Sequence, residues 1–223
     1  MTPVLDTRKL LLLEKASKQR LEASYIYMPL LAAAIAGRNE GAMRMIMDYA
    51  LRRGVRYKTV DEIVLQSHLF LGFPAMIEAS RLLAEVRPRG RNTKNLPQAY
   101  SEKDCQRWHR EGMAKIRKIY GALFDRLMPY INSFSPQILT WMINEGYGKV
   151  LSRPGASFKL RELSIVATLT VTAYENQLMA HIRGAYNSGL EASVLEGAID
   201  NCRYFCPQGN IKRARTILRQ VTD

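Results

Sequence analysis

Part of this chain recurs within itself, and a recurring unit constrains a fold more than any local pattern does. When the sequence is laid over itself so that Ala32 falls on Ala167, Glu40 falls on Glu175, Ala50 on Ala185 and Gly54 on Gly189. At the same offset Phe70 meets Phe205, Ala79 meets Ala214, Leu83 meets Leu218 and Val86 meets Val221, with conservative pairs such as Val64 and Ile199 between them. The punctuation repeats as well. A helix ends at Gly54 and again at Gly189, where glycine takes a left-handed cap without steric cost. Thr59 with Glu62, and Ser193 with Glu196, have the spacing of capping boxes. An apolar helix follows in each copy, then a break at Gly72-Phe73-Pro74 or at Cys206-Pro207-Gln208-Gly209, then a final amphipathic helix.

Between the copies, Ser101 to Tyr120 has helical spacing with Trp108, Met113, Ile116 and Tyr120 on one stripe. Two more helices are expected over 122–131 and 136–145, the second opened by Ser135 as cap and Pro136 as first residue. No alternating strand pattern with turn chemistry is present. The expectation is an all-α protein of two tandem helical units in one compact chain. Residues 1–86 would form the first repeat, 87–100 a basic linker, and 101–223 the second repeat with the helices before it.

At 223 residues the chain can bury a substantial core. No apolar run reaches the ~18 residues of a membrane span, and Leu10 to Leu13 is cut off by Glu14 and Lys15, unlike a signal peptide. Three cysteines, Cys105, Cys202 and Cys206, are too few and too oddly placed for a disulfide framework, so reduced thiols in a cytoplasmic protein are expected. The net charge of +13 raises the question of nucleic acid. The positive residues are dispersed, however, and no helix-turn-helix, zinc finger or aromatic-interleaved basic motif accompanies them. We therefore expect neither nucleic acid nor membrane as partner. A field of this sign instead favours small anionic substrates.

The segment Arg161-Glu162-Leu163, followed by His181-Ile182-Arg183-Gly184-Ala185-Tyr186-Asn187-Ser188-Gly189, resembles the carboxymuconolactone decarboxylase family within the alkylhydroperoxidase D-like fold. Ser152-Arg153-Pro154-Gly155 resembles that family's lead-in. Asp61 to Val64 and Gly72 to Ala75 resemble its downstream half. The resemblance spans most of the chain outside the first twenty or so residues and the linker. It implies a division by chemistry. The redox branch carries C-x-x-C, a histidine four residues on and a glutamate twelve residues before. Here those positions hold Glu162, Tyr174, Gln177 and His181, so both thiols are missing and a dithiol mechanism has no nucleophile. The decarboxylase branch keeps only the acid and the imidazole. In the first repeat the same positions hold Tyr27, Asn39, Ala42 and Ile46, which makes that copy a structural partner.

If a helix from Leu160 turns near Ala173 and the next runs back antiparallel, Glu162 and His181 differ by only ~4–5 Å along the axis. Two readings stay open: a catalytic acid–imidazole pair, or a buried histidine tied to a carboxylate for structure alone. On the first, the resemblance implies a cofactor-free and metal-free lyase acting on a small anionic lactone or carboxylate. His181 would donate the proton and Glu162 would hold its tautomer. Arg183 or Arg161 would anchor the anion; those roles come from side-chain chemistry, not from the motif. On the second, the chain is a non-catalytic binding or assembly protein. Cys105 with His109, and Cys202 with Cys206, share helical faces but lack the further ligands of a metal site. His68 reads as a core histidine. Family members form rings of single units, so a two-unit chain implies a homotrimer with pseudo-sixfold arrangement.

Overall fold

The computed structural model describes residues 3–16, 21–86 and 99–222. Those residues are mostly helical, with no strand among them, as expected. The proposed basic linker lies largely outside the described residues.

The chain divides into two compact units, 1–86 with 155–223, and 87–154. The grouping by contact therefore differs from the grouping by chain position, in which 101–223 formed one piece. In the larger unit α2 (Ala23–Ala36) and α9 (Phe158–Thr172) form the centre. Both are buried along nearly their whole length, Ile26 to Ile35 in α2 and Leu160 to Thr170 in α9. Such helices need apolar residues on all sides, and any polar residue needs an internal partner. In α9 the hydroxyls of Ser164, Thr168, Thr170 and Thr172 supply their own by donating to the carbonyls four residues earlier, at 2.8–3.1 Å. Around this centre lie α1 (Thr7–Ala16), α3 (Glu40–Arg52), α4 (Tyr57–Gln66) and α5 (His68–Val86). From the other segment come α10 (Glu175–Asn187), α11 (Ala192–Asn201) and α12 (Gln208–Thr222). One apolar cluster runs from Leu10 through Ile46 and Leu83 and takes in Leu160 and Tyr204.

The helix starts repeat with the sequence. α2, α3 and α4 begin at Ala23, Glu40 and Tyr57; α9, α10 and α11 begin at Phe158, Glu175 and Ala192, each displaced equally. The glycine stops fall where they were expected. Gly54 and Gly189 have φ of 85° and 87°, and each closes a paired cap. Val55 N–H donates to Ala50 O, and Leu190 N–H to Ala185 O, while the glycine N–H groups reach Leu51 O and Tyr186 O. That pattern satisfies two carbonyls the helix leaves open.

The capping boxes are a correction. The residues before α4 and α11 are Arg56 and Glu191, with no side-chain cap. Thr59 Oγ1 instead donates to Gly155 O at 2.7 Å, and Glu62 is committed elsewhere in the core. The break at Gly72 is real: φ of 77° interrupts α5 there.

In the smaller unit, Ser101 and Asp104 form a reciprocal capping box at the start of α6 (Glu102–Tyr120). After α7 (Phe124–Phe134), Ser135 caps α8 (Pro136–Trp141) with Pro136 at its first position, as read from the sequence. The expected single helix over 136–145 widens into a π-helical segment, Met142–Val150. Gly112 of α6 and Gly148 of that segment lie against backbone: an added Cβ would come within 2.1 Å of Ile143 O and Trp108 O respectively. No helix among the described residues is long and apolar enough to cross a membrane.

Candidate active site

Ser157 caps α9 by accepting from Leu160 N, which places Arg161 and Glu162 at the start of the buried stretch of that helix. α9 ends at Thr172, and Ala173 adopts a left-handed conformation with φ 59°. That residue reverses the chain into α10, where the reversal was expected. Glu162 and His181 consequently face each other. His181 Nδ1 lies 2.8 Å from Glu162 Oε2, with the side chains 8% and 1% exposed. With Glu162 as a carboxylate, which only accepts hydrogen bonds, Nδ1 carries the proton and donates. Nε2 is then the ring atom left to act on anything else.

Two further facts define the pair's surroundings. Phe70 of α5 meets the His181 ring edge-to-face, with centroids 5.3 Å apart and planes at 82°. Glu162 Oε1 is buried and has no hydrogen-bond partner among the described residues. A buried carboxylate oxygen in that condition costs roughly 1–3 kcal/mol or more until it meets a donor.

The two arginines are not brought to His181 together. Arg161 is fully buried and its guanidinium is held by α4: Nη2 donates to Glu62 Oε2 at 2.9 Å and Nη1 to Gln66 Oε1 at 3.3 Å. Gln66 Nε2 returns a bond to Arg161 O at 3.2 Å. Glu62 also pairs through Oε1 with Lys58, at 3.0 Å. The immediate structural role of Arg161 is thus an ion pair with Glu62, which no local sequence signal announces. Arg183 is half-buried on α10, but two residues from His181 it stands about 200° around the helix.

At the positions where the redox branch would carry thiols, Tyr174 is 61% exposed and Gln177 is also exposed. The thiols present lie elsewhere. Burial pushes Cys206 up to about 11 and Cys202 well above the ordinary thiol range. Among the described residues no group of three His, Cys, Asp or Glu is placed to hold a metal ion.

The matching positions of the first segment are packed without this chemistry. Tyr27 and Ile46 are completely buried. Asn39 caps α3 by accepting from Ala42 N. The Tyr27 phenol is pushed up by its burial and by the nearby Glu14 carboxylate.

No family model matches the chain. It is 27% identical over 81 residues to a 4-carboxymuconolactone decarboxylase of Acinetobacter baylyi, covering 36% of this chain and 60% of that protein. It is also 26% identical over 140 residues to peroxisomal protein 2 of Schizosaccharomyces pombe, covering 60% of this chain and 62% of that one. The matches therefore span about three fifths of either relative's length.

Proposed function

We propose that this chain is a lyase of the carboxymuconolactone decarboxylase kind, acting without a cofactor on a small anionic lactone or related carboxylate. The observation that carries the reading is the buried hydrogen bond between His181 Nδ1 and Glu162 Oε2. Loss of carbon dioxide from a conjugated lactone acid leaves negative charge spread onto a carbonyl oxygen, and the carbon must then be protonated. An imidazole whose Nδ1 is committed to a carboxylate presents Nε2 for that transfer, and the carboxylate stabilises the imidazolium form. The 27% identical decarboxylase supports the choice of substrate class.

Arg183 remains our candidate for anchoring the anion. Because it stands across α10 from His181, Arg183 would reach a substrate at His181 only from a neighbouring copy, and the reading includes a trimer of two-unit chains. The tandem duplication belongs to the same proposal, supported by the equal displacement of the helix starts. The test is turnover of 4-carboxymuconolactone and related lactone acids by metal-free protein, with His181→Ala and Glu162→Gln alongside. Full turnover by His181→Ala on an accepted substrate would make the imidazole structural.

One observation favours a second reading, a non-catalytic assembly or binding protein. Arg161, one of two arginines expected at the anion, is sealed against Glu62. That reading stands if no lactone acid is turned over and none raises the melting temperature.

A further inference from the structure

We propose that Phe70 is a positioning residue for His181, so that α5 contributes to a pair carried entirely by α9 and α10. This rests on the catalytic reading of that pair. Three observations lead to it. The rings meet edge-to-face at 5.3 Å and 82°, the orientation that aromatic quadrupoles favour. Among the described residues the His181 ring is held by a hydrogen bond at Nδ1. A single bond leaves rotation about that axis open, and a second contact at a steep angle to the ring removes it.

The third observation is that the turn carrying Phe70 is tied to α4 by hydrogen bonds. The first turn of α5 is closed by Phe70 N to Ser67 O at 3.1 Å and Leu71 N to Ser67 O at 2.9 Å, Ser67 being the residue that joins it to α4. His68 Nδ1 reaches Leu65 O at 2.7 Å, and the turn ends at the left-handed Gly72. α4 is in turn fixed to α9 through Glu62, Gln66 and Arg161, the neighbour of Glu162. Phe70 and Glu162 are therefore referenced to one frame. A ring on that frame can keep the imidazole within the narrow range of angle that proton transfer requires.

The test compares Phe70→Leu, Phe70→Met and Phe70→Tyr with the wild type. In ¹⁵N-labelled protein the wild-type His181 Nδ1 proton should resonate far downfield and exchange slowly. Phe70→Leu and Phe70→Met, which fill space without a ring, should broaden it and speed its exchange, and Phe70→Tyr should restore it. On a lactone acid, kcat should fall about 3- to 10-fold in the first two variants while KM stays within about twofold. If Phe70→Leu does not fold, Phe70→Met carries the comparison. An unchanged Nδ1 proton in the ringless variants overturns the proposal. Absence of turnover in the wild type overturns the lyase reading instead and leaves the proton signal to decide the role of Phe70.

Discussion

Arg161 of α9 and Glu62 of α4 meet at 2.9 Å with neither side chain exposed to solvent. Removing one member of such a pair strands a charge in the core, which costs roughly 3–5 kcal/mol. Lys58, half exposed on the other Glu62 oxygen, is itself a cation and offers a stranded Arg161 no compensation. We expect Glu62→Ala to lower the melting temperature by about 6–20 °C. Glu62→Leu combined with Arg161→Met should regain most of the loss. Thermal melts of the two variants settle the point, and a double variant no better than Glu62→Ala would refute it.

His181→Ala should reduce lactone-acid turnover by ~10²–10⁴, and Glu162→Gln by less, because the amide still accepts a hydrogen bond. Stability should follow a different order. The alanine variant removes the hydrogen-bond donor to Glu162 and leaves a buried carboxylate with neither oxygen paired, at a cost of roughly 1–3 kcal/mol or more. Adding Glu162→Gln to it should therefore raise stability while turnover stays low. Urea titrations beside steady-state rates separate the two effects.

In native protein one thiol should react. Cys105 is exposed, and Cys202 and Cys206 are buried. A raised thiol pKa lowers the thiolate fraction, and with Cys206 at about 11 roughly one molecule in a thousand carries it at pH 8. Labelling of Cys206 should accelerate only as pH approaches 11. An aromatic disulfide reagent should count one thiol in buffer and three in denaturant. Replacing all three cysteines by serine should leave lactone-acid turnover largely intact.

Much of the larger unit was legible because its boundaries are written in glycine. Gly54, Gly72 and Gly189 stop or bend helices through their own dihedral angles, a property one residue can encode. Glu162 and His181 were legible for a similar reason, since nineteen residues and one turn separate them. Arg161, Glu62 and Phe70 were not. Their roles depend on which helices pack together, and an arginine in an R-E-L turn looks alike whether it faces a substrate or a carboxylate 99 residues away. The Thr59 capping box misled because the spacing was right while the helix begins two residues earlier, at Tyr57.

Gly112→Ala should be among the most damaging single-methyl changes in the smaller unit. The new carbon would lie 2.1 Å from Ile143 O, and backbone cannot yield as a side-chain end does. Amide exchange across α6 and the π-helical segment should rise sharply. Gly146→Ala, with nothing near the added carbon, should be mild.

Assembly is checked by light scattering. A trimer has three times the 25.4 kDa mass of the chain, and a mass of one chain at micromolar concentration excludes the proposed ring.

Glu62 leaves the ribosome 99 residues ahead of Arg161, a gap of about 5–20 s at ordinary rates of synthesis. Over the same interval the buried face of α2 has no α9 to lie against. A nascent chain halted before residue 158 must therefore hold Glu62 without its Arg161 partner and α2 with an uncovered apolar face. The N-terminal half has to wait for its counterpart before it can become a stable object, which makes it a natural client for chaperones during synthesis.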